Sequence, residues 1–235
     1  MSTQNAFISN FINIYVSPSE TFYAIKNRPS FLYPLILLIF GSAIILLSYY
    51  SLVDFEWMNE QIILMSGTDL STEEKEQMRD GLAMMSPLVQ GIVTIIGASI
   101  GLVIYILLLS LYLLLVSMII SDDNSYKNWF SVVCWSFMPM LFTVLASGIN
   151  ISLMSNNQFR LDELNPLSFN NLFFRLDFDS AIKPLLDSLD LTLIWVMVLL
   201  VIGYQKITNK SWLTSTIIVL LPYTLVYGIW FIIIV

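Results

Sequence analysis

Asp190 is the ionisable residue with the most chemical promise in the sequence, because it opens an uncharged window that closes again at Lys206. So short a window pulls the carboxylate towards lipid, where it must be paired, protonated or wetted by a cavity. It is either a polar contact in the mouth of a helix bundle or the mark of a helix start at the external interface, its charge favoured by the helix N-terminus. The second arrangement is the commoner. Glu73, Glu76 and Asp80 share a helical face, and Asp177-Phe178-Asp179 pairs two more acids. Such spacings could hold calcium, but no oxygen cage with a turn glycine accompanies them, and solvated acidic faces are far more frequent. Histidine is absent and Cys134 is the single cysteine, which removes the usual general base, a Cys–His nucleophile, a thiolate metal site and an internal disulfide. No catalytic residue, metal site or cofactor is expected, and the chain reads as a non-enzyme.

The elements that carry these residues lie in a membrane. Of 235 residues, 57% are apolar and 11% charged, and mean hydropathy is +0.79. That is more apolar surface than a 26.8 kDa globule can hide. The expectation is an all-α integral membrane bundle of five transmembrane helices, with short amphipathic N-terminal helices and two external loops containing helical segments. An ionisable group at mid-bilayer costs several kcal/mol, so charge-free windows mark the spans: about 31–53, 87–120, 129–154, 189–206 and 211–234, after an arm over 1–30. The second window is one long tilted helix rather than a hairpin. No Asn, Asp or Pro marks a turn at Gly97-Ala98-Ser99-Ile100-Gly101, and a hairpin tip in lipid would leave backbone groups unpaired. Residues 189–203 reach only about 22 Å at 1.5 Å per residue, short of a core of about 30 Å.

Orientation follows from the basic residues near the span ends. Lys26, Arg28, Lys127, Lys206 and Lys210 fall on one side with three acids, whereas the other side holds the other five basic residues, all in the long loops 54–86 and 155–188, and 14 acids, Asp190 included. The short segments are therefore cytoplasmic, with the amino terminus inside and the carboxyl terminus external. Residues 1–30 do not read as a cleaved signal. A net charge of −7 without a basic cluster argues against nucleic acid as a partner.

Ser17-Pro18-Ser19-Glu20 predicts a capping box with proline at the first helical position. With Phe22 and Ile25 behind it, and Phe7, Ile8, Phe11, Ile12 and Tyr15 before it, the arm reads as interfacial helices on the cytoplasmic leaflet. Its residues are candidates for partner or lipid docking, or simply an anchor covering the bundle. Ser71-Thr72-Glu73-Glu74 predicts a second capping box in the first loop. Gly97 and Gly101 form a small-xxx-small pair suited to helix packing or a homo-oligomer contact. Pro139 and Pro222 must interrupt the backbone ladders of the third and fifth spans, as kinks or gates.

The order of Val16-Ser17-Pro18-Ser19-Glu20-Thr21-Phe22 with Ile25, Pro29 and Pro34, then Trp135-Ser136-Phe137-Met138-Pro139-Met140-Leu141, then Leu189-Asp190-Leu191 with Trp195, Gly203 and Ser211, resembles the bacterial branch of the Yip domain family of Ypt- and Rab-interacting membrane proteins. The resemblance covers nearly the whole chain and implies five spans with a cytoplasmic amino terminus. Eukaryotic members are associated with Rab-type GTPases through a longer cytoplasmic N-terminal region than the roughly 30 residues here, a departure that argues against carrying GTPase binding over. The expected function is a multi-pass inner-membrane protein that organises partners or lipids. A permeation pathway for a small neutral or lipidic solute is the alternative, motivated by Pro139, Pro222, Asn150, Asp190 and the hydroxyls of the second span. Membrane lipids, a membrane-protein partner or a second copy are the expected partners.

Overall fold

The structure, a computed structural model, describes residues 3–66 and 70–234. It is all-helical, and five helical stretches are long and apolar enough to cross a membrane. In chain order the helices are α1 (Thr3–Val16), α2 (Pro18–Asn27), α3 (Leu32–Leu52), α4 (Phe55–Met65), α5 (Thr72–Ala83), α6 (Pro87–Ile119), α7 (Tyr126–Ser136), α8 (Met140–Leu153), α9 (Lys183–Ser188), α10 (Leu191–Thr208) and α11 (Trp212–Ile234). The spans are α3, α6, α7 with α8, α10 and α11. The α6–α7 and α10–α11 links lie at one end, the arm face; α4, α5 and α9 lie at the other, the loop face.

Local chemistry sets the boundaries. Ser86 and Pro87 start α6, the Ser86 hydroxyl accepting from the Val89 amide at 3.4 Å. At 33 residues, α6 is about 50 Å long, a single uninterrupted helix that must tilt to fit a core of about 30 Å. Ser71 makes the expected box: its amide donates to Glu74 Oε2 at 2.8 Å and its hydroxyl accepts from the Glu74 amide at 3.3 Å. Ser125 and Asn128 make a further box at the start of α7. Asn209 ends α10 in the left-handed region, φ 55°, a conformation that asparagine tolerates better than branched residues.

The core lies around α7. Every residue from Trp129 to Pro139 is buried, walled by α6, α10, α2 and α3. Half of the third span's most apolar window is buried, against 11% for the first and fifth, so α3 and α11 supply the outer wall.

The amino-terminal helices do not lie flat. Tyr15 sits edge-on to Trp195, Phe22 touches Gly203, and the Lys26 ammonium donates to the Ile207 carbonyl at 2.5 Å. From Trp195 to Ile207 is about 18 Å along α10, so α1 and α2 form a hairpin that stands beside the span with its turn at Ser17. Ile14, Phe22 and Ile25 belong to the same core as Trp129, Leu199 and Tyr204. The helical hairpin from Phe7 to Asn27 and the spans thus share one interior. Gly203 makes this approach possible, since a Cβ there would come within 2.8 Å of Val132 Cγ1 and 2.9 Å of Phe22 Cε1.

Candidate docking surface within the membrane

Both span prolines release a backbone carbonyl, and structured polar groups gather at each. At Pro139 the third span breaks: the Met138 amide turns to the Trp135 carbonyl at 3.2 Å, and the Phe142 amide takes Pro139 O at 2.9 Å. The Tyr15 hydroxyl, carried there by the hairpin, donates to the Met138 carbonyl at 2.9 Å. Pro222 lies inside a continuous α11. Its missing amide would have served Ile218, and the Tyr112 hydroxyl of α6 donates to that carbonyl at 2.7 Å. Each proline is thereby a cross-link between elements.

Asp190 caps α10. One carboxylate oxygen accepts from the Leu193 amide at 2.6 Å and the Thr192 hydroxyl at 2.8 Å, and the other accepts from Asn165 Nδ2 at 2.8 Å. Thr192 spends its proton on Asp190, so the 2.8 Å contact with Thr143 has Thr143 as donor, which ties α10 to α8. Trp195 stacks on Phe142 of α8. Asn150 donates to the Glu163 carbonyl at 2.8 Å.

Two expectations change at the hairpin. Ser17 precedes α2 but its side chain makes no capping bond; Glu20, exposed, accepts instead from Asn13 of α1 at 3.2 Å, so the glutamate that would have closed a box clamps α2 to α1. Pro18 opens α2 as expected, while Phe22 and Ile25 are buried and face no outside partner. The outward apolar residues of the hairpin are Ile8, Ile12, Val16 and Tyr23.

The glycine pair also departs from the packing expectation. A Cβ on Gly97 or Gly101 would meet nothing within 4 Å among the described residues, and both positions are exposed. Close backbone approach occurs at Gly203 and at Gly91, where a Cβ would lie 3.1 Å from Tyr50 Cβ. Successive α-helical steps of three or four residues along the same face lead from Gly101 to Tyr105, Leu108 and Tyr112. These line a 440 Å³ groove between α6 and α11, closed on the other side by Pro222, Tyr223, Tyr227 and Trp230. Tyr223 is 6% exposed, and its hydroxyl has no hydrogen-bond partner among the described residues. The groove opens sideways, where lipid or a neighbouring span would be.

A charged cluster at the loop face escaped sequence reasoning. Arg160 Nε and Nη2 grip the two oxygens of Asp162 at 3.0 Å each, and Lys183 bonds Asp162 and, at 2.6 Å, Asp187. Burial pushes the Asp162 carboxyl up, but the bonds from Arg160 and Lys183 outweigh it and hold the group below the usual carboxylate range. Burial likewise works against the Lys183 ammonium, yet Asp162 and Asp187 raise it above its ordinary value. Partners 21 residues apart leave no spacing signal in the sequence. Among the described residues no group of His, Cys, Asp and Glu has the geometry to hold a metal ion.

A family model for the Yip1 domain matches residues 12–233. The chain belongs to the Yip1 family. The match begins within α1 and ends within α11, so the Yip1 domain takes in the hairpin turn and all five spans. Three sequence segments meet in space: the Tyr15–Phe22 turn reaches the Pro139 break and Trp195 through Tyr15 and Gly203 through Phe22. No curated protein and no solved structure matches the chain.

Proposed function

We propose that this Yip1-family membrane protein is a non-enzymatic organiser of membrane partners or lipids, working through the lateral face of α6. It would reside in the inner membrane, amino terminus cytoplasmic and carboxyl terminus external, on the distribution of basic residues. The observation that carries the reading is the contrast between interior and flank. Tyr15, Tyr112, Asp190, Thr192 and Asn150 all spend their hydrogen bonds bracing the bundle. The Gly97–Gly101 face and the aromatic groove below it stay open to the side. Small residues admit a neighbouring backbone where lipid gives helices no hydrophobic push, and tyrosines offer hydroxyls beside flat apolar rings.

The test is affinity capture from native membranes, identifying bound proteins and lipids, with the wild type beside Gly97→Ile/Gly101→Ile. These side chains enter open space, so the bundle should survive. The reading expects a defined partner or lipid with the wild type and its loss with the variant; identical capture by both would sink it. The hairpin is unsuitable for such a test, since deleting residues 1–28 removes Ile14, Phe22 and Ile25 from the core. The permeation alternative draws less from Asn150, Asp190 and Tyr112, which are bonded within the bundle, and more from the Ser117 hydroxyl, buried without a partner among the described residues; solute flux in proteoliposomes would favour it.

A further inference from the structure

Two cavities meet at the loop face. The first, 480 Å³, is walled mainly by Tyr49, Tyr50, Trp57, Met58 and Ile62, with Arg160 at its edge. The second, 420 Å³, is bounded by Phe178, Lys183, Pro184 and Asp187. Both touch Met65 and Asp162, so an apolar chamber adjoins a charged one. The apolar chamber is built rather than incidental: the Tyr49 hydroxyl donates to the Phe159 carbonyl at 3.2 Å and Tyr50 bonds Thr94 at 2.8 Å. It lies between the end of α3 and the amphipathic α4, where the spans give way to the polar loops.

Charge complementarity names the occupant. The cluster holds two cations, Arg160 and Lys183, against three carboxylates, Asp162, Glu163 and Asp187, an excess of one negative charge. Lys183 binds one oxygen of Asp187; the other, Oδ1, is buried with no hydrogen-bond partner among the described residues. A buried carboxylate oxygen in that state favours an added N–H donor bearing positive charge. Arg160 spends Nε and Nη2 on Asp162, and its remaining Nη1 suits a phosphate oxygen.

We propose that these chambers bind a zwitterionic phospholipid carrying a primary ammonium. On binding, Asp187 turns Oδ1 into the charged chamber to accept from the ammonium, the phosphate meets Arg160 Nη1, and an acyl chain fills the aromatic and methionine chamber. This site is separate from the lateral groove of α6 and α11, and its failure leaves that reading untouched.

A choline headgroup has the same charge but no N–H to donate, which makes the test sharp. Purified full-length protein in detergent is equilibrated with phosphatidylethanolamine, phosphatidylcholine or phosphatidylglycerol of matched chains, and retained lipid is measured by native mass spectrometry. Retention of the ethanolamine lipid should exceed that of the choline lipid about tenfold, the scale of one charge-assisted hydrogen bond, with the glycerol lipid no better than choline. Asp187→Asn should erase the preference. Ile62→Trp fills the apolar chamber without touching the charged cluster and should lower retention of every lipid, which keeps the proposal testable should Asp187→Asn misfold. Equal retention of ethanolamine and choline lipids by the wild type overturns it, as does Ile62→Trp binding as the wild type does.

Discussion

The Tyr112 hydroxyl of α6 donates at 2.7 Å to the carbonyl of Ile218, the residue whose helical partner would be Pro222. A proline-made vacancy in the fifth span is filled by a hydroxyl from the second, and the two spans are pinned at one end of the lateral groove. Tyr112→Phe should destabilise the folded protein by about 1 kcal/mol. In a Pro222→Ala background the Ile218 carbonyl regains its own backbone donor, and the same change should cost close to nothing. Unfolding of the four proteins in a double-mutant cycle checks the coupling; equal losses in both backgrounds would refute it.

The hairpin's depth gives a labelling experiment. In a Cys134→Ala background, cysteine at Asn27, exposed at the arm face, should react with a membrane-impermeant maleimide. Cysteine at Ser17, at the tip beside the third-span break, should resist it in sealed vesicles and react after detergent opens the bundle. Equal labelling of both positions in vesicles would place the helices flat on the leaflet.

Asp190 is structural in this account. Asp190→Ala strips the cap from α10 and leaves Asn165 and Thr192 unmatched, at a cost of about 1–2 kcal/mol; Asp190→Asn keeps an accepting oxygen and should cost less. Thermal unfolding separates the two. A variant of normal stability that loses solute flux would instead make Asp190 a pathway residue.

The loop-face cluster sets a pH window. Asp162 is held below its unfolded value near 3.9, so its contribution is complete above that value and lost as pH falls through the folded one. Lys183 is raised above its unfolded value near 10.4, so its contribution is complete below that value and lost as pH rises through the folded one. Stability should be level from about pH 5 to 9 and fall on either side, as near-UV circular dichroism on heating would report. Lys183→Met leaves Asp162 and Asp187 facing each other with Lys183 only 7% exposed. It should cost about 3 kcal/mol, the lower part of the range for broken buried pairs, because the carboxylates keep some exposure.

Much of this was legible in the sequence for one physical reason: the cost of charge in lipid. It delimits the spans from Arg28, Asp54, Asp122 and Lys206, and it puts Asp190 at a helix start. The Ser71 box and the Pro139 break follow from backbone chemistry that acts within four residues. The hairpin was not legible, because an amphipathic helix has the same apolar spacing whether its face meets headgroups or the bare backbone at Gly203. Gly97 and Gly101 announced that close packing is possible, but spacing does not say which glycine a neighbour uses. Arg160, Asp162, Lys183 and Asp187 meet only through the fold of the second loop.

Photo-crosslinking in native membranes from two lipid-level positions of similar openness tells whether the α6 flank is a docking face. Leu108, 60% exposed, lines the groove, and Ile44, 53% exposed, lies on the outer wall of α3. A discrete adduct is expected from Leu108, lost in the Gly97→Ile/Gly101→Ile protein, and only bulk lipid from Ile44. Indistinguishable adducts from the two positions would contradict a docking face there.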